Sequence, residues 1–273
     1  MTRRQALLLT FAVPATAKGA APDRPVVEWT PLPLFVGAPV LFRTNVSGSA
    51  TWLDQKIEFR PDGGDGFSAL AGVGLDRAPG TYPLVLQDQT VEVAVKARAY
   101  PSSTIRVPPK FVKPPKEVQA RIDEEIAMKR TVFHSSPAER LWHGPFTAAA
   151  KTRYTSSFGV RRMYNGVTQS THQGLDYSAA VGTEIRAANS GRAALVHEMY
   201  FEGGLVVIDH GESIFTLYMH LSEFLVKEGA AIEKGQRIAK SGSSGRVTGP
   251  HLHFAVQWRG SYLEPATLLR LWG

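Results

Sequence analysis

Short apolar runs, each cut off by glycine or proline, recur along most of this chain and leave little room for long helices. They are Val40-Leu41-Phe42, Ala50-Thr51-Trp52, Ile57-Glu58-Phe59, Thr81 to Leu86 and the alternating Val91, Val93 and Val95 in the first half. The second half has Leu205 to Ile208, Ile214 to Tyr218, Ile232 to Ala239 around Gly235, and His251 to Trp258. Runs of this length between turn formers read as strands, so a mostly β protein is expected. At about 150 residues per domain, 273 residues suggest two units. The hydrophobic fraction of 43% and charged fraction of 20% are those of a chain that folds.

Four stretches follow from the punctuation. Met1-Thr2-Arg3-Arg4, the apolar run Ala6 to Val13 and the small residues Ala15-Thr16-Ala17 occur in the order of a secretory leader, so residues 1–17 are read as a signal peptide. Its removal would take Arg3 and Arg4 and no acid, so part of the formal charge of +7 is targeting. No apolar stretch reaches the ~20 residues of a membrane span. Residues 24–98 read as a small antiparallel sandwich of immunoglobulin-like type, with turns at Pro61 to Gly66 and Ala78-Pro79-Gly80. The phrase Ala78-Pro79-Gly80-Thr81-Tyr82 resembles the proline-glycine-tyrosine corner of bacterial Ig-like modules. Residues 99–141 carry Pro101, Pro108, Pro109, Pro114 and Pro115 and read as a proline-rich linker. Within it, Val118, Ile122 and Ile126 form a narrow stripe, flanked by Glu117/Arg121 and Glu125/Lys129 pairs, that predicts one helix over about 116–130. Residues 142–273 return to strands.

Chemistry concentrates in this last stretch. The chain has no cysteine, which excludes disulfides, thiol nucleophiles and Cys-ligated metals and leaves His, Asp and Glu as ligands. Candidates cluster as His172-Gln173-Gly174-Leu175-Asp176, His210, Tyr218-Met219-His220-Leu221 and His251-Leu252-His253. Strand alternation puts His251, His253, Ala255 and Gln257 on one face and Leu252, Phe254, Val256 and Trp258 on the apolar one. The same rule puts Thr216, Tyr218 and His220 on a polar face opposite Phe215, Leu217 and Met219. His172 and Asp176 would lie ~13 Å apart on a straight strand, so a bend at Gly174 is expected if both bind one ion. Two imidazoles and one carboxylate make the donor set of a hydrolytic zinc centre with one position for water. Spacing leaves open whether His251, His253 or both hold the metal.

His-x-Gly-x-Asp at His172, Gly174 and Asp176, the Tyr218-x-His220-Leu221 strand and Gly249-Pro250-His251-Leu252-His253-Phe254 together resemble the lysostaphin-like peptidoglycan zinc metalloendopeptidases. The likeness spans about Tyr154 to Pro265 and includes Ser157-Phe158-Gly159-Val160-Arg161 and Asp209-His210-Gly211. It implies a curled antiparallel sheet of hybrid-barrel type, one Zn2+ per chain held by His172, Asp176 and His253, and a catalytic pair His220 and His251. It further implies a secreted or periplasmic endopeptidase acting on peptidoglycan peptides. From their position ahead of this half on a proline-rich tether, the N-terminal module and helix are expected to cover the groove until displaced, an intramolecular regulation. Relatives that lose ligands act instead as wall-binding proteins or amidase activators, and the intact set here argues against that role.

Other features carry less. His134, His143 and His197 read as satisfied surface or core histidines, and His210 as structural. His197-Glu198-Met199-Tyr200-Phe201 begins like a His-Glu-x-x-His site but has Phe201 where the second ligand belongs. No Ser-x-x-Lys or Gly-x-Ser-x-Gly occurs. No basic run interleaved with aromatics suggests a nucleic-acid groove. Gly229 to Ala239 resembles the glycine hairpin of lipoyl and biotinyl carrier domains, but no lysine stands on a matching turn. Gly242-Ser243-Ser244-Gly245 is expected to border the groove.

Overall fold

β-Branched and aromatic residues at alternate positions, with glycine and proline at the ends, produce strands through most of the chain. The computed structural model describes residues 25–272, so the leader expected over 1–17 lies outside the described residues. The N-terminal sheet has eight strands in the order Val27–Thr30, Pro39–Thr44, Phe67–Gly72, Gln55–Pro61, Gly48–Trp52, Gly80–Leu86, Gln89–Lys96 and Leu34–Phe35. All neighbours are antiparallel except the last pair. Strand Gln55–Pro61 joins two layers, pairing with Gly48–Trp52 along its first part and with Phe67–Gly72 at Arg60 and Pro61. Between the layers, Trp52 is fully buried, meets Phe42 edge-on at 5.1 Å and donates its indole N–H to the Gly72 carbonyl at 3.1 Å. The Tyr82 hydroxyl donates back to the Ala78 carbonyl at 2.6 Å, closing the Ala78–Tyr82 turn.

The C-terminal sheet has ten strands, all antiparallel, and curls into a nearly closed barrel. Its path runs Tyr154–Ser156, Leu175–Tyr177, Leu252–Trp258, Ile214–Phe224, Gly203–Asp209, Gly191–Met199 and Ala231–Ile232. Both faces of the central strands are covered. On one face Leu175, Tyr177, Leu252, Phe254, Tyr218, Val206 and Ile208 belong to a core continuous with that of the N-terminal sheet. On the other, Phe215, Leu217, Met219, Leu205, Val207 and Ala255 meet Met128, Val132 and Phe133 of helix Gln119–His134.

The polar face expected from alternation is therefore absent: Ile214 to Leu221 is buried at every residue. Thr216 and Tyr218 point into the larger core, where their hydroxyls bond each other at 3.0 Å and the Ala188 N–H donates to the Tyr218 oxygen at 2.8 Å. A strand clothed on both sides cannot be read by apolar alternation alone.

Residues 99–141 run along the C-terminal half. Strand Ser102–Ile105 pairs in parallel with Arg161–Tyr164, which also pairs with Thr168–Thr171. Val107 and Phe111 pack with Tyr164, Tyr200 and Phe201. The helix begins at Gln119, after a 3-10 turn over Lys116–Val118, and ends at His134. Ion pairs tie the halves together, among them Arg98 with Glu264 at 2.7 Å and Arg60 with Glu212 at 3.0 Å, and Arg140 of the connecting stretch joins Glu212 at 3.1 Å. No helix among the described residues is long and apolar enough to cross a membrane.

Candidate metal centre

Register brings the first two residues together. Asp176 pairs with His253 across neighbouring strands, and His253 pairs in turn with Met219, so all three share the face opposite Leu175, Phe254 and Tyr218. His172 enters from the bend before strand Leu175–Tyr177. The bend depends on Gly174 for space: a Cβ there would stand 2.5 Å from His253 Nε2 and 2.6 Å from the Phe254 carbonyl oxygen. Glycine is needed here because backbone and imidazole approach it closely.

His172 Nε2, Asp176 Oδ1 and His253 Nδ1 form a triangle with sides of 2.9, 2.8 and 3.0 Å. His172 donates its Nδ1–H to the Ser157 carbonyl at 2.7 Å, so its Nε2 carries only a lone pair. That leaves one proton at most, on His253, among three mutually facing acceptors. Such a set is repulsive unless a cation joins it, and a triangle of this size suits an ion about 2.0–2.2 Å from each corner. Burial alone would raise the Asp176 pKa, but the His172 and His253 imidazoles set against its Oδ1 hold it far below the ordinary carboxylate range. Burial pushes His253 down to about 4, against the pull of Asp176. Both groups are thus held in the forms that bind a metal.

His220 and His251 stand beside the triangle with ring centroids 4.7 Å apart. Each donates Nδ1–H to a backbone carbonyl, His220 to Ser244 at 2.9 Å and His251 to Gly249 at 2.8 Å, which leaves both Nε2 atoms bare. His251 Nε2 is 3.9 Å from Asp176 Oδ1. Burial, then the neighbouring His251 and His253, lowers the His220 pKa well below that of free imidazole. His220 reaches this side of the sheet only because its φ is +65°; strict alternation from Tyr218 would send it to the opposite face. The sheet register shifts beside it, between Gly204 and Val206, as at a β-bulge. Tyr218 accordingly does not share a face with His220.

Arg162 has no place in the sequence reading. Its guanidinium donates to Asp176 Oδ2 at 2.6 Å and to Ser156 Oγ at 2.8 Å, fixing the carboxylate behind the triangle. The available signal was the Arg161-Arg162 pair on a short strand, of which only Arg162 turns inward. The Gly242 to Gly245 loop does border the groove: Ser244 supplies the carbonyl for His220, and its hydroxyl bonds Leu221 O and Gly204 N, both at 2.9 Å. His134, His143 and His197 are exposed, and His210 is buried in the far core.

Two cavities flank the site. One of about 150 Å3 includes His172, His253, His220, Arg162 and Phe201 in its walls. The other, of about 440 Å3, includes Asp176, His251 and His220, with Ser103, Ile105 and Val107 of the connecting stretch.

This curled sheet with converging His, Asp and His is that of a metallopeptidase domain, and residues 170–265 match Peptidase family M23. The C-terminal half of the chain carries a domain of that family. A stretch of 112 residues is 39% identical to peptidoglycan DD-endopeptidase ShyA of Vibrio cholerae, covering 41% of this chain and 26% of that one. Another of 117 residues is 38% identical to DD-carboxypeptidase/endopeptidase Mpg of Neisseria meningitidis, covering 43% and 27%. The matches thus span about a quarter of the length of these curated relatives. A crystal structure of a protein assigned to peptidase M23 from Pseudomonas aeruginosa superimposes with a TM-score of 0.64 at 22% identity, over 89% of this chain and 92% of that one, which extends the shared fold to both halves.

Proposed function

We propose that this protein is a zinc-dependent endopeptidase that hydrolyses peptide bonds in peptidoglycan stems or cross-links, in the periplasm or outside the cell. The observation that carries the reading is the His172–Asp176–His253 triangle with two bare imidazole nitrogens beside it. Two nitrogens and one oxygen in a three-residue set are the donors of a hydrolytic zinc centre, and they leave a position for water and substrate. Zinc held there supplies a Lewis acid and an acidified water near neutral pH.

The rest of the work falls to the chain. The bare Nε2 atoms of His220 and His251 are the acceptors available for a proton from the attacking water, and whichever imidazole becomes protonated can donate to the departing amine. The low pKa of His220 makes it the readier donor once charged, and its burial keeps it neutral beforehand. Arg162 holds Asp176 so that one carboxylate oxygen faces the metal position. Phe201 and Tyr164 on one side and Ser103, Ile105 and Val107 on the other line the groove beside the metal position. The 103–107 segment belongs to the stretch joining the two halves, so the connector borders access to the groove.

The test is direct. The purified full chain should bind one zinc and release new peptide ends from isolated peptidoglycan, and chelation should stop the release. A zinc-loaded chain that leaves every peptide bond of the wall intact overturns the proposal.

A further inference from the structure

The groove holds two arginines with different commitments. Arg162 is spent on Asp176 and Ser156. Arg246 is not spent on anything: among the described residues its guanidinium has neither a hydrogen-bond nor an ion-pair partner. It is nevertheless held in place. Its carbon lies 4.6 Å from the Tyr164 ring centroid and 5.0 Å from that of Phe201, and its backbone N–H donates to the Phe201 carbonyl at 2.8 Å. The Phe201 segment is itself anchored, through an ion pair of Glu202 with Lys129 and a hydrogen bond from the Tyr200 N–H to Glu125 at 2.8 Å. Glu202, an acid in the same cavity wall, is therefore already engaged.

Arg246 lines both cavities, the one with His172 and His253 and the one with Asp176 and His251, as do Arg162, Tyr164 and His220. A planar cation stacked on aromatic rings in the wall of the groove, with its N–H fork unpaired, is matched to a carboxylate. Peptide bonds of the wall differ in whether they offer one nearby. In a bond between two D-centres whose amine-side residue keeps its α-carboxylate, that group sits two bonds from the scissile nitrogen. A bond within a glycine bridge has no such charge.

We propose that Arg246 determines specificity by binding a free α-carboxylate on the amine side of the scissile bond. This rests on the peptidase reading above. The experiment compares purified cross-linked muropeptides that carry this carboxylate either free or amidated, with a pentaglycine-bridged substrate alongside, and uses the zinc-loaded full chain. The expected kcat/KM preference for the free carboxylate is about ten- to a hundred-fold, the size of one charge-assisted hydrogen-bonded contact. Arg246→Gln should lose most of that preference, falling far more on the free substrate than on the amidated one, and Arg246→Lys should keep part of it. Zinc content and thermal midpoint establish that each variant is folded. A preference that survives in Arg246→Gln, a wild type indifferent to amidation, or faster cleavage of the glycine bridge overturns the inference while the peptidase reading stands. Cleavage of none of the three by the zinc-loaded chain removes the peptidase reading, and this inference with it.

Discussion

The same sheet buries two polar clusters that contain histidine, one on each face, and they solve their electrostatics in opposite ways. On the core face, His210 donates Nδ1–H to the Ser190 carbonyl at 2.7 Å and accepts at Nε2 from the Thr216 hydroxyl at 2.8 Å. Thr216 and Tyr218 extend the chain of bonds to the Ala188 N–H, and every polar atom has a partner. On the groove face, His172 and His253 turn ring nitrogens toward each other and toward a carboxylate, with too few protons to satisfy them. A buried histidine whose acceptor finds a donor is structure; acceptors that converge without donors call for a cation. Burial is common to both clusters and so does not distinguish them.

The groove-face cluster gives the largest expected effects. His253→Ala removes a corner of the triangle, and both bound metal and hydrolysis should fall to background. His251→Ala leaves the triangle whole, so metal should remain while turnover drops by about 10²–10⁴-fold, the usual contribution of a proton-transfer group. Metal analysis beside muropeptide release separates the two. Equal metal loss in both variants would erase the division between ligands and free imidazoles.

The candidate residues were legible in the amino-acid order, whereas their division into ligands and free imidazoles came only from the family resemblance, and the shortfalls have physical causes. His172, Gly174, Asp176, His251 and His253 are close in sequence within two motifs, and strand register needs only to set one beside the other. Tyr218 was misplaced because the strand Ile214–Phe224 is covered on both faces, which removes the polar alternation that reveals orientation. His220 reached the right face by a route no spacing rule carries, a positive φ at a register shift. Arg162 and Arg246 were passed over because a single arginine on a strand or loop has no signature until a carboxylate or an aromatic ring is seen against it. The stretch 99–141 shows the same limit: its prolines speak for extension but not for what lies alongside, and a parallel pairing such as that of Ser102–Ile105 with Arg161–Tyr164 leaves no local trace.

The core-face cluster should answer to acid where the groove face answers to metal. Burial lowers the His210 pKa to about 4, with the Ser190 bond only partly opposing, against 6.5 for the free side chain. Between those values the unfolded chain takes up a proton that the folded chain refuses, so stability falls as pH drops from about 6.5 toward about 4 and is unaffected by this group above that window. The full swing is about 3 kcal/mol. His210→Asn should start lower at neutral pH, having lost the Thr216 contact, and should show a flatter acid dependence, read from denaturant midpoints across that range. A variant as acid-sensitive as the parent would mean that other groups set the slope.

Arg162 tests how far the groove face depends on support from behind. Its guanidinium bonds the Asp176 oxygen that points away from the triangle, so losing it does not remove a ligand but frees the carboxylate to rotate. Groups in this position typically contribute about ten- to a hundred-fold in metal affinity. Arg162→Gln should therefore still bind zinc, more weakly by about that factor, and recover activity when zinc is raised, whereas Asp176→Ala should not recover at any concentration. Competition with a chelator of known affinity measures the difference. If Arg162→Gln binds zinc as tightly as the parent, the register pairing of Asp176 with His253 suffices to aim the carboxylate, and the arginine serves the groove rather than the metal.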